Sequence, residues 1–544
     1  MTADGHPSSG ANPPPGLLAR IERAYREGRP AEAAALCDAA LADDPRPHAL
    51  HNARAAAKRA AGDPWPVGRG YARAIALAPS EPAYYVNLAN ALMGRDRPEL
   101  ARRLLLNALR LRRDRAEYQR MLAECLIRER RPDLAGPILA QLASARPYDP
   151  EIRFSLGNLR LATSDPPGAA RALRRCLALA PGHARACMNL ATAVRASGDV
   201  DGAIAAYEAT LLRDPGAHAA SYMRANALLG SGRLADGWDA YEARWLYRDF
   251  PAVSRRTSRP VWDGDPRRDT TMLVWPEQGL GDVVRYASCL PDLLRTGQRV
   301  IVECDPRLVT LFRLSFPAAD VRPVSHDEQG RELPSAPDYD HHLPIASLPR
   351  FFRRSLEAFP ARRAYLFPPA DALTRWRGAT AALGPGIKVG VSWRSGIMTG
   401  DRSTSYADLE AWRPIFAVPG VVFVNLQHGT TPDDRAEMGR RFGLSLAEWP
   451  SLDLRNDLTD LAALVCALDV VIAGTSSVSE IAGAVGAATW VYDGPPVYVH
   501  LGSKRMPWHP SWRLFARHSS SETWDRVFAE IASALRDRAR CAGR

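Results

Sequence analysis

The chain has 544 residues, 46% of them hydrophobic and 24% charged, which is the balance of a folded protein and excludes a disordered one. It offers neither an uninterrupted apolar stretch of about 18 residues nor a signal-like start, so we expect no membrane span and a cytoplasmic location. The formal net charge of +11 comes mostly from arginines dispersed among carboxylates, with only three lysines, so no nucleic-acid partner is predicted.

The eight cysteines form no C-x-x-C pair, and most of them lie within apolar patterns. Such spacing is typical of buried free thiols and not of a zinc site or a disulfide framework. We therefore expect no metal ion and no resident cofactor.

A period of 34 residues runs from Leu17 to Asp249. One marker position of this period is occupied by Pro45, Pro79, Arg113, Pro147, Pro181, Pro215 and Asp249. Five, eight and twelve residues before each of the first six markers the chain places small or apolar residues, such as Ala40, Cys37 and Ala33. The pattern resembles the tetratricopeptide repeat, whose helix pairs stack into a superhelix with a groove for extended partners. It predicts seven units over 17–249, after a disordered N-terminus at 1–16.

The last unit differs from the others. Gly237, Trp238, Tyr241 and Trp245 place aromatic bulk where alanine is usual, as expected of a repeat that docks onto another domain. The following residues, 250–270, are rich in Pro, Arg, Ser and Asp and predict a linker.

Strand-like apolar runs alternate with helical segments after the linker, which predicts parallel sheets with covered faces. The predicted strands are 272–275, 299–304, 387–393, 420–427, 469–473 and 488–492. The predicted helices are 282–295, 305–315, 457–468 and 477–485.

A break at 371–386, where a helix-like segment ends in Gly-Pro-Gly, divides this α/β region into two Rossmann-like lobes. The first lobe is predicted at 271–370 and the second at 387–544, which includes a C-terminal helix. Ligands of such sheets bind beyond the carboxyl ends of strands, so the loops after residues 275, 393, 427 and 473 are the candidate site.

The loop after the first strand can receive an anion. Gly279 and Gly281 permit a tight turn, and the helix that begins there presents free amides. Compared with a dinucleotide-binding fingerprint, the pattern lacks the third glycine, because Val284 stands at that position. Glu303 lies where an acid that binds the ribose would be expected, so a nicotinamide cofactor stays an alternative. Asp282 is either a general base for a hydroxyl or a carboxylate that stabilises the helix end.

Two loops of the second lobe carry candidate phosphate contacts. Arg394, with Ser395 beside it, offers a donor fork that suits a diphosphate, although a solvated surface arginine is the alternative. Thr475, Ser476 and Ser477 open a helix, where their hydroxyls either cap it or hold a phosphate.

These segments resemble one family in their order and spacing. The carriers are PEQGLGDVVRYASCLPDLL, DHHLPIASLP, IKVGVSWRSG, FVNLQHG, NDLTDLAALVCALDVVIAGTSSVSEIAGAVGAATWV and MPWHPSWRLF. The family is that of bacterial glycosyltransferases of the GT-B type with an N-terminal tetratricopeptide array, related to heptosyltransferases and more distantly to O-GlcNAc transferases. The resemblance implies a first lobe for the acceptor, a second lobe for a nucleotide-sugar, and metal-independent transfer that we expect to be inverting.

The same resemblance assigns roles to residues. It implies Asp282 as the base and places Arg394 on the donor-side loop, with Gln427 and the hydroxyls of 475–477 along the nucleotide. Many relatives carry an Asp-Thr pair and a helix histidine where this chain has Thr475, Ser476 and Glu480, which alters a donor-phosphate contact. His342 is a second candidate acid or base, since imidazole titrates near neutrality, with loop orientation as its alternative.

The sequence therefore predicts transfer of a sugar from a nucleotide-sugar to a hydroxyl of a protein or glycan that the repeats recruit. The alternative is a non-enzymatic repeat adaptor whose α/β half is a degenerate glycosyltransferase-like domain.

Overall fold

The computed structural model describes residues 13, 16–61, 67–95, 97–197, 199–247, 250, 252, 254–324, 338–394, 406–494, 498–517 and 522–542. Their contacts form two compact units, Met1–Ala193 and Val194–Arg544. Except for residues 13 and 16, the N-terminus that we predicted to be disordered lies outside the described residues, and so does Ser395.

Seven consecutive helix pairs cover the predicted repeats in the described part of the chain. They are α1 (Leu17–Arg26), α2 (Pro30–Asp43), α3 (His48–Ala60), α4 (Val67–Leu77), α5 (Pro82–Met93), α6 (Pro98–Leu111), α7 (Ala116–Arg128), α8 (Pro132–Ala145), α9 (Pro150–Ala162), α10 (Pro166–Leu179), α11 (Ala184–Ser197), α12 (Val200–Arg213), α13 (His218–Gly230) and α14 (Leu234–Tyr241). From α2 to α12, the second helix of each pair ends two residues before a marker position. The predicted period is therefore confirmed helix by helix.

The carbonyl group of the marker residue is an acceptor in four successive repeats. In each, the side chain six residues further on donates to it, at 2.9 to 3.1 Å. The pairs are His51 to Pro45, Tyr85 to Pro79, Gln119 to Arg113 and Arg153 to Pro147. Four different side chains thus fix the same turn between a second helix and the next first helix.

Small side chains let the helices of the first unit approach closely. Ala33, Cys37, Ala101 and Ala108 are fully buried at the predicted stripe positions. In α9, a Cβ on Gly157 would lie 2.6 Å from the side chain of Leu173 in α10, so a larger residue does not fit there.

The second unit contains two parallel sheets. The first has the order β3-β2-β1-β4 and the second the order β6-β5-β7-β8-β9. Their strands are β1 (Thr271–Trp275), β2 (Arg299–Cys304), β3 (Asp320–Pro323), β4 (His341–Pro344), β5 (Ile387–Ser392), β6 (Val421–Asn425), β7 (Val470–Gly474), β8 (Thr489–Asp493) and β9 (Trp512–Ala516). All six predicted strands are confirmed, and the three that the sequence analysis missed, β3, β4 and β9, are edge strands.

Helices cover these sheets and connect their strands. They are α15 (Leu280–Ala287), α16 (Leu290–Arg295), α17 (Val309–Ser315), α18 (Pro349–Phe352), α19 (Ala370–Ala381), α20 (Arg413–Phe416), α21 (Pro432–Phe442), α22 (Leu458–Cys466), α23 (Ser477–Ala484) and α24 (Asp525–Ala542). The predicted helix 282–295 is two helices, because the chain turns at Ser288 and Cys289. The segment predicted to join the lobes begins as α19, which packs against α22.

Glycines set the distance between α23 and its neighbours. A Cβ on Gly483 would lie 2.3 Å from the indole nitrogen of Trp512, and Gly486 has a φ of +77° with the carbonyl of Arg363 only 3.0 Å from its Cβ position. Both glycines therefore permit close packing that a larger side chain would prevent.

The last helix pair belongs to the second unit. The indole of Trp238 donates to the carbonyl of Arg353 at 3.0 Å, and the ring of Trp245, in a 3₁₀ segment after α14, lies 5.5 Å from that of Trp275 in β1. The predicted linker pairs with the first sheet, since the backbone amide of Trp262 donates to the carbonyl of His342 at 2.9 Å. The contacts therefore group residues 194–249 with the α/β region, and Trp245 packs on the face of the first sheet that carries Leu273 and Trp275.

Candidate functional site

The strand order reverses between β1 and β4 in the first sheet and between β5 and β7 in the second. In parallel sheets a ligand binds beyond the carboxyl ends of the strands at such a reversal. The second unit therefore offers two crevices.

A buried ion pair fills the first crevice. The guanidinium of Arg244 contacts both carboxylate oxygens of Glu277 at 2.7 and 2.9 Å, and both side chains are 0% exposed. Glu277 also accepts the amide of Ala346 at 3.1 Å, and Arg244 donates to Ser347 at 2.8 Å. An arginine that follows the last repeat helix thus neutralises a carboxylate just after β1, and a nicotinamide cofactor stays an alternative.

The glycine turn after β1 packs against the second lobe. A Cβ on Gly281 would lie 3.3 Å from Cγ of Glu480 and 3.7 Å from Cα of Ser477, so the first turns of α15 and α23 touch. Gly279 is exposed, and its amide donates to the carboxylate of Asp282 at 3.3 Å. Of the two glycines predicted to cradle an anion, Gly281 therefore permits the close contact between the two helices, and Gly279 lies at the start of α15.

Asp282 is a quarter exposed and lies among charged and polar groups. Arg285 donates to its other oxygen at 3.0 Å. Burial raises the pKa of Tyr222 in α13 and of Tyr498, and the negative charge of Asp282 adds to both shifts. The charge of the predicted base thus acts on tyrosines from the last repeat and from the second lobe.

A buried cluster of three side chains, one of which also contacts Asp282, connects the two lobes. Arg285 donates through Nε to Oε1 of Glu480 at 3.1 Å, and Nε2 of His509 lies 2.7 Å from Oε2. Burial alone would raise the pKa of Glu480, but Arg285 and His509 hold it below its ordinary value. Both carboxylate oxygens of Glu480 are therefore engaged by cationic or imidazole groups of the protein.

His342 lies elsewhere. It is 8% exposed in β4, beside Leu273 in the register, and its Nδ1 accepts the indole N–H of Trp275 at 3.1 Å. Leu273 and Trp275 lie on one face of β1, while α15, which carries Asp282, covers the other. The structure does not bring His342 and Asp282 together, so a catalytic role for His342 stays a prediction.

The amide of Gln427 organises the loop after β5. Its Oε1 accepts the backbone amides of Trp393 at 3.1 Å and Arg394 at 2.9 Å, and the hydroxyl of Ser392 at 3.3 Å. Gln427 is only 1% exposed. It therefore fixes the start of the loop that carries Arg394, instead of lining the crevice with a free amide.

Arg394 extends from this loop across the carboxyl end of β6. Its guanidinium lies 3.0 Å from Asp434, which caps α21, and donates to the carbonyl of Gly429 at 3.3 Å. About a third of its side chain is exposed, at 36%. The cation predicted for a diphosphate is therefore oriented by a carboxylate and still faces solvent.

The hydroxyls after β7 flank the same crevice. Thr475 donates to Asp493 at 3.1 Å, and the amide of Ser476 donates to Ser479 at 2.9 Å. Oγ of Ser476 is buried and contacts no polar group of the described residues. α23 begins at Ser477 with Ser476 as its N-cap residue, and the choice between a helix cap and a phosphate contact for the hydroxyls of 475–477 stays a prediction.

A pocket of about 240 Å³ opens beside Arg394. It lies between the loop at 425–430 and the segment 448–455, with Arg435 also in its wall. Burial lowers the pKa of His428 in this wall, and the charges of Arg455, Arg394 and Arg307 lower it further. The positive charges of three arginines therefore act on His428, and Arg455 is the one of them that lines the pocket, together with the acids Glu448 and Asp453.

The sequence analysis missed His428, Arg455 and Arg307. His428 directly follows Gln427, so the same motif could have signalled it. Arg307 comes from the first lobe and donates to the carbonyl of Arg455 at 3.1 Å, a contact across 148 residues that no local pattern reveals. Among the described residues, no group of three His, Cys, Asp or Glu side chains is arranged to hold a metal ion.

The chain contains tetratricopeptide repeats. The tetratricopeptide repeat family matches residues 86–150 and residues 160–221. Stacked repeats of this kind present extended surfaces for partner proteins.

Among curated proteins, the chain is similar to Protein FlbA of Caulobacter vibrioides. The two are 33% identical over 288 residues, which cover 51% of this chain and 48% of FlbA. The chain thus spans about half the length of this relative.

Solved structures resemble the repeats. A thermophilic repeat protein of Thermus thermophilus is 22% identical, covering 33% of this chain and 97% of that one, with a TM-score of 0.29. A tetratricopeptide repeat protein of Parabacteroides merdae is 14% identical, covering 43% and 93%, with a TM-score of 0.35. Within the described ranges, no helix is both long enough and apolar enough to cross a membrane.

Proposed function

We propose that the protein is a glycosyltransferase that binds a nucleotide-sugar in its second lobe and transfers the sugar to a hydroxyl of a protein or glycan. In this proposal the repeats recruit the acceptor, and the reaction takes place between the crevice after β5 and β7 and Asp282.

One observation carries the proposal. Arg455 lines the pocket beside His428, at the carboxyl end of β6, and the charges of Arg394 and Arg307 act on the same imidazole. Guanidinium groups bind a diphosphate with paired, charge-assisted hydrogen bonds. They would also stabilise the negative charge that develops on the diphosphate as it leaves.

The transfer forms one bond, breaks one bond and moves one proton. The acceptor oxygen forms a bond to the anomeric carbon, and the bond from that carbon to the diphosphate oxygen breaks. The bonding electron pair leaves with the nucleoside diphosphate, and the hydroxyl proton passes to the carboxylate of Asp282. Arg285 would hold that carboxylate in place, since it contacts one oxygen at 3.0 Å.

Calorimetric titration with UDP, GDP, ADP and CMP tests the proposal. We expect saturable binding of one nucleotide, weakened about tenfold or more in Arg394→Ala and Arg455→Ala, because each removes a charged hydrogen-bond donor. Arg536→Ala is the matched control, since Arg536 is an exposed arginine of α24. Absence of binding by a folded sample would reject the donor site.

The adaptor alternative has its own support. Both oxygens of Asp282 accept hydrogen bonds from its own helix turn, and Gly281 is packed on α23. An α/β half with these groups engaged could be purely structural while the repeats bind partners. Nucleotide binding that Arg394→Ala weakens favours the enzyme, and partner binding without any nucleotide binding favours the adaptor.

A further inference from the structure

Nearly all of the formal net positive charge of the protein comes from its first unit. Residues 1–193 contain 29 Arg and Lys against 19 Asp and Glu, whereas residues 194–544 contain 42 against 41. The repeats of the first unit are therefore basic, while the unit with the α/β lobes is nearly neutral. Such asymmetry indicates an anionic partner for the basic part.

Part of this charge is concentrated in two turns, which we call the basic patch. The patch comprises Arg110, Leu111, Arg112, Arg113 and Arg115 around the turn from α6 to α7, and Arg146 and Tyr148 in the turn from α8 to α9. All seven residues are exposed. The marker position, proline in most repeats, is Arg113 here, so the repeat departs from its own pattern where the patch lies.

The two turns of the basic patch are neighbours. The hydroxyl of Ser155 in α9 donates to Glu124 in α7 at 2.8 Å, and Arg120 in α7 lies 3.5 Å from Glu151 in α9. Both contacts join residues 31 apart, so the two helices run parallel in a constant register. The turns that precede them therefore lie side by side at one end of the helices.

The arginines of the basic patch are poorly neutralised. Arg112 lies 3.5 Å from Asp114, with both side chains about half exposed or more. Arg113, Arg115 and Arg146 have no carboxylate of the described residues within ion-pairing distance. Elsewhere in the unit Arg102 pairs with Glu129 at 2.8 Å, so this unit does contain arginines that are neutralised by carboxylates.

Exposed apolar side chains lie within the same patch. Tyr148 is 81% exposed and Leu111 is 42% exposed. Tyrosine and arginine together are the side chains that most often dominate the energy of protein interfaces. A nucleic-acid backbone would need a longer basic stripe, whereas this patch is short and contains Asp114.

We propose that the basic patch binds an acidic segment of a partner protein that also carries apolar side chains. Its carboxylates would pair with Arg113, Arg115 and Arg146, and an apolar residue would pack on Tyr148 and Leu111. This proposal is independent of any reaction in the second unit, because it concerns binding alone.

Fluorescence anisotropy on the full chain tests it, with a labelled glutamate-rich peptide that contains two leucines. We expect saturable binding at physiological salt, weakened about tenfold or more by the triple change Arg112→Glu, Arg113→Glu and Arg115→Glu. None of these side chains caps a helix, so the turn is expected to stay intact, which thermal melting by circular dichroism would verify.

The matched control is Arg103→Glu, Arg171→Glu and Arg175→Glu, which changes the charge equally on exposed arginines of α6 and α10. Weakening by less than about threefold in this control supports the patch, because distant surface charges are screened. Equal weakening by both triple changes would overturn it. Tyr148→Ala should also weaken the peptide, and unchanged affinity there would contradict the apolar contact. Tighter binding of single-stranded DNA or of phosphatidylserine vesicles than of the peptide would assign the patch to another partner.

Discussion

Arg285 and Glu480 form an ion pair in which neither side chain reaches solvent, at 5% and 1% exposure. The pair joins α15 of the first lobe to α23 of the second, and His509 bonds to the remaining oxygen. Because an ion pair without water is strong only when both partners stay in place, this contact holds the two helices together.

Glu480→Ala should destabilise the second unit by about 3 to 5 kcal/mol, because it leaves Arg285 buried without its counter-ion. Trp508 and Trp512 lie on either side of His509 in the sequence, so urea unfolding followed by tryptophan fluorescence would detect the loss. The joint change Arg285→Met with Glu480→Leu is the control and should cost clearly less. Equal loss in both proteins would show that the volume of the side chains, not the charge, matters.

Acid should weaken the same contact. The pKa of Glu480 lies below its ordinary value of 4.5, so the ionised form stabilises the folded state at neutral pH. That contribution is complete above about pH 4.5 and disappears as the pH falls through the lowered pKa. The melting temperature should therefore fall more steeply below about pH 4.5 in the parent protein than in Glu480→Gln. Identical pH profiles would exclude Glu480 as the source.

Asp282→Asn should lower the turnover of sugar transfer about a hundredfold or more while nucleotide affinity stays unchanged. The amide can still accept the Gly279 N–H but cannot take a proton from the acceptor. Steady-state kinetics with calorimetry separate the two effects, and Asp320→Asn, at an exposed edge of β3, is the control. Normal turnover would remove Asp282 from the mechanism. Glu277 would be a poor replacement, since Arg244 occupies both of its oxygens.

A chain of residues 194–544 should fold, whereas a chain of residues 250–544 should be much less stable. The shorter chain loses Arg244, the counter-ion of Glu277, and the aromatic side chains of Trp238 and Trp245 that pack against the first lobe. Limited trypsin digestion and thermal unfolding of both chains would measure the difference. Similar melting temperatures would show that residues 194–249 do not stabilise the α/β region.

The longer of these chains also tests acceptor recruitment. If the repeats of the first unit recruit a macromolecular acceptor, residues 194–544 should lose transfer to it and keep slow hydrolysis of the donor. Unchanged transfer would reject that role for the repeats.

The sequence predicted what depends on local pattern. The helix pairs followed from one period, and the strands buried in the sheets followed from continuous apolar runs such as β2 and β7. The edge strands β3 and β4 were missed because an edge is open on one side and admits polar residues such as Asp320 and His341.

The site was predicted less completely because its contacts are distant in the chain. Gln427 and Arg394 lie together as expected. The hydrogen bonds that the side-chain oxygen of Gln427 accepts, however, join residues more than 30 apart. The contact of Arg285 with Glu480 spans 195 residues. A single sequence contains no signal for such pairs, so the shared role of these residues becomes visible only in the fold.

The marker carbonyls have a consequence for recognising this repeat elsewhere. Since the acceptor belongs to the backbone, the side chain that satisfies it needs only a donor and sufficient reach, and histidine, tyrosine, glutamine and arginine all qualify. Selection at that position would then act on a chemical capability that unrelated residue types share. A consensus written in residue identities would miss this position, whereas one written in hydrogen-bond donors would find it in these four repeats.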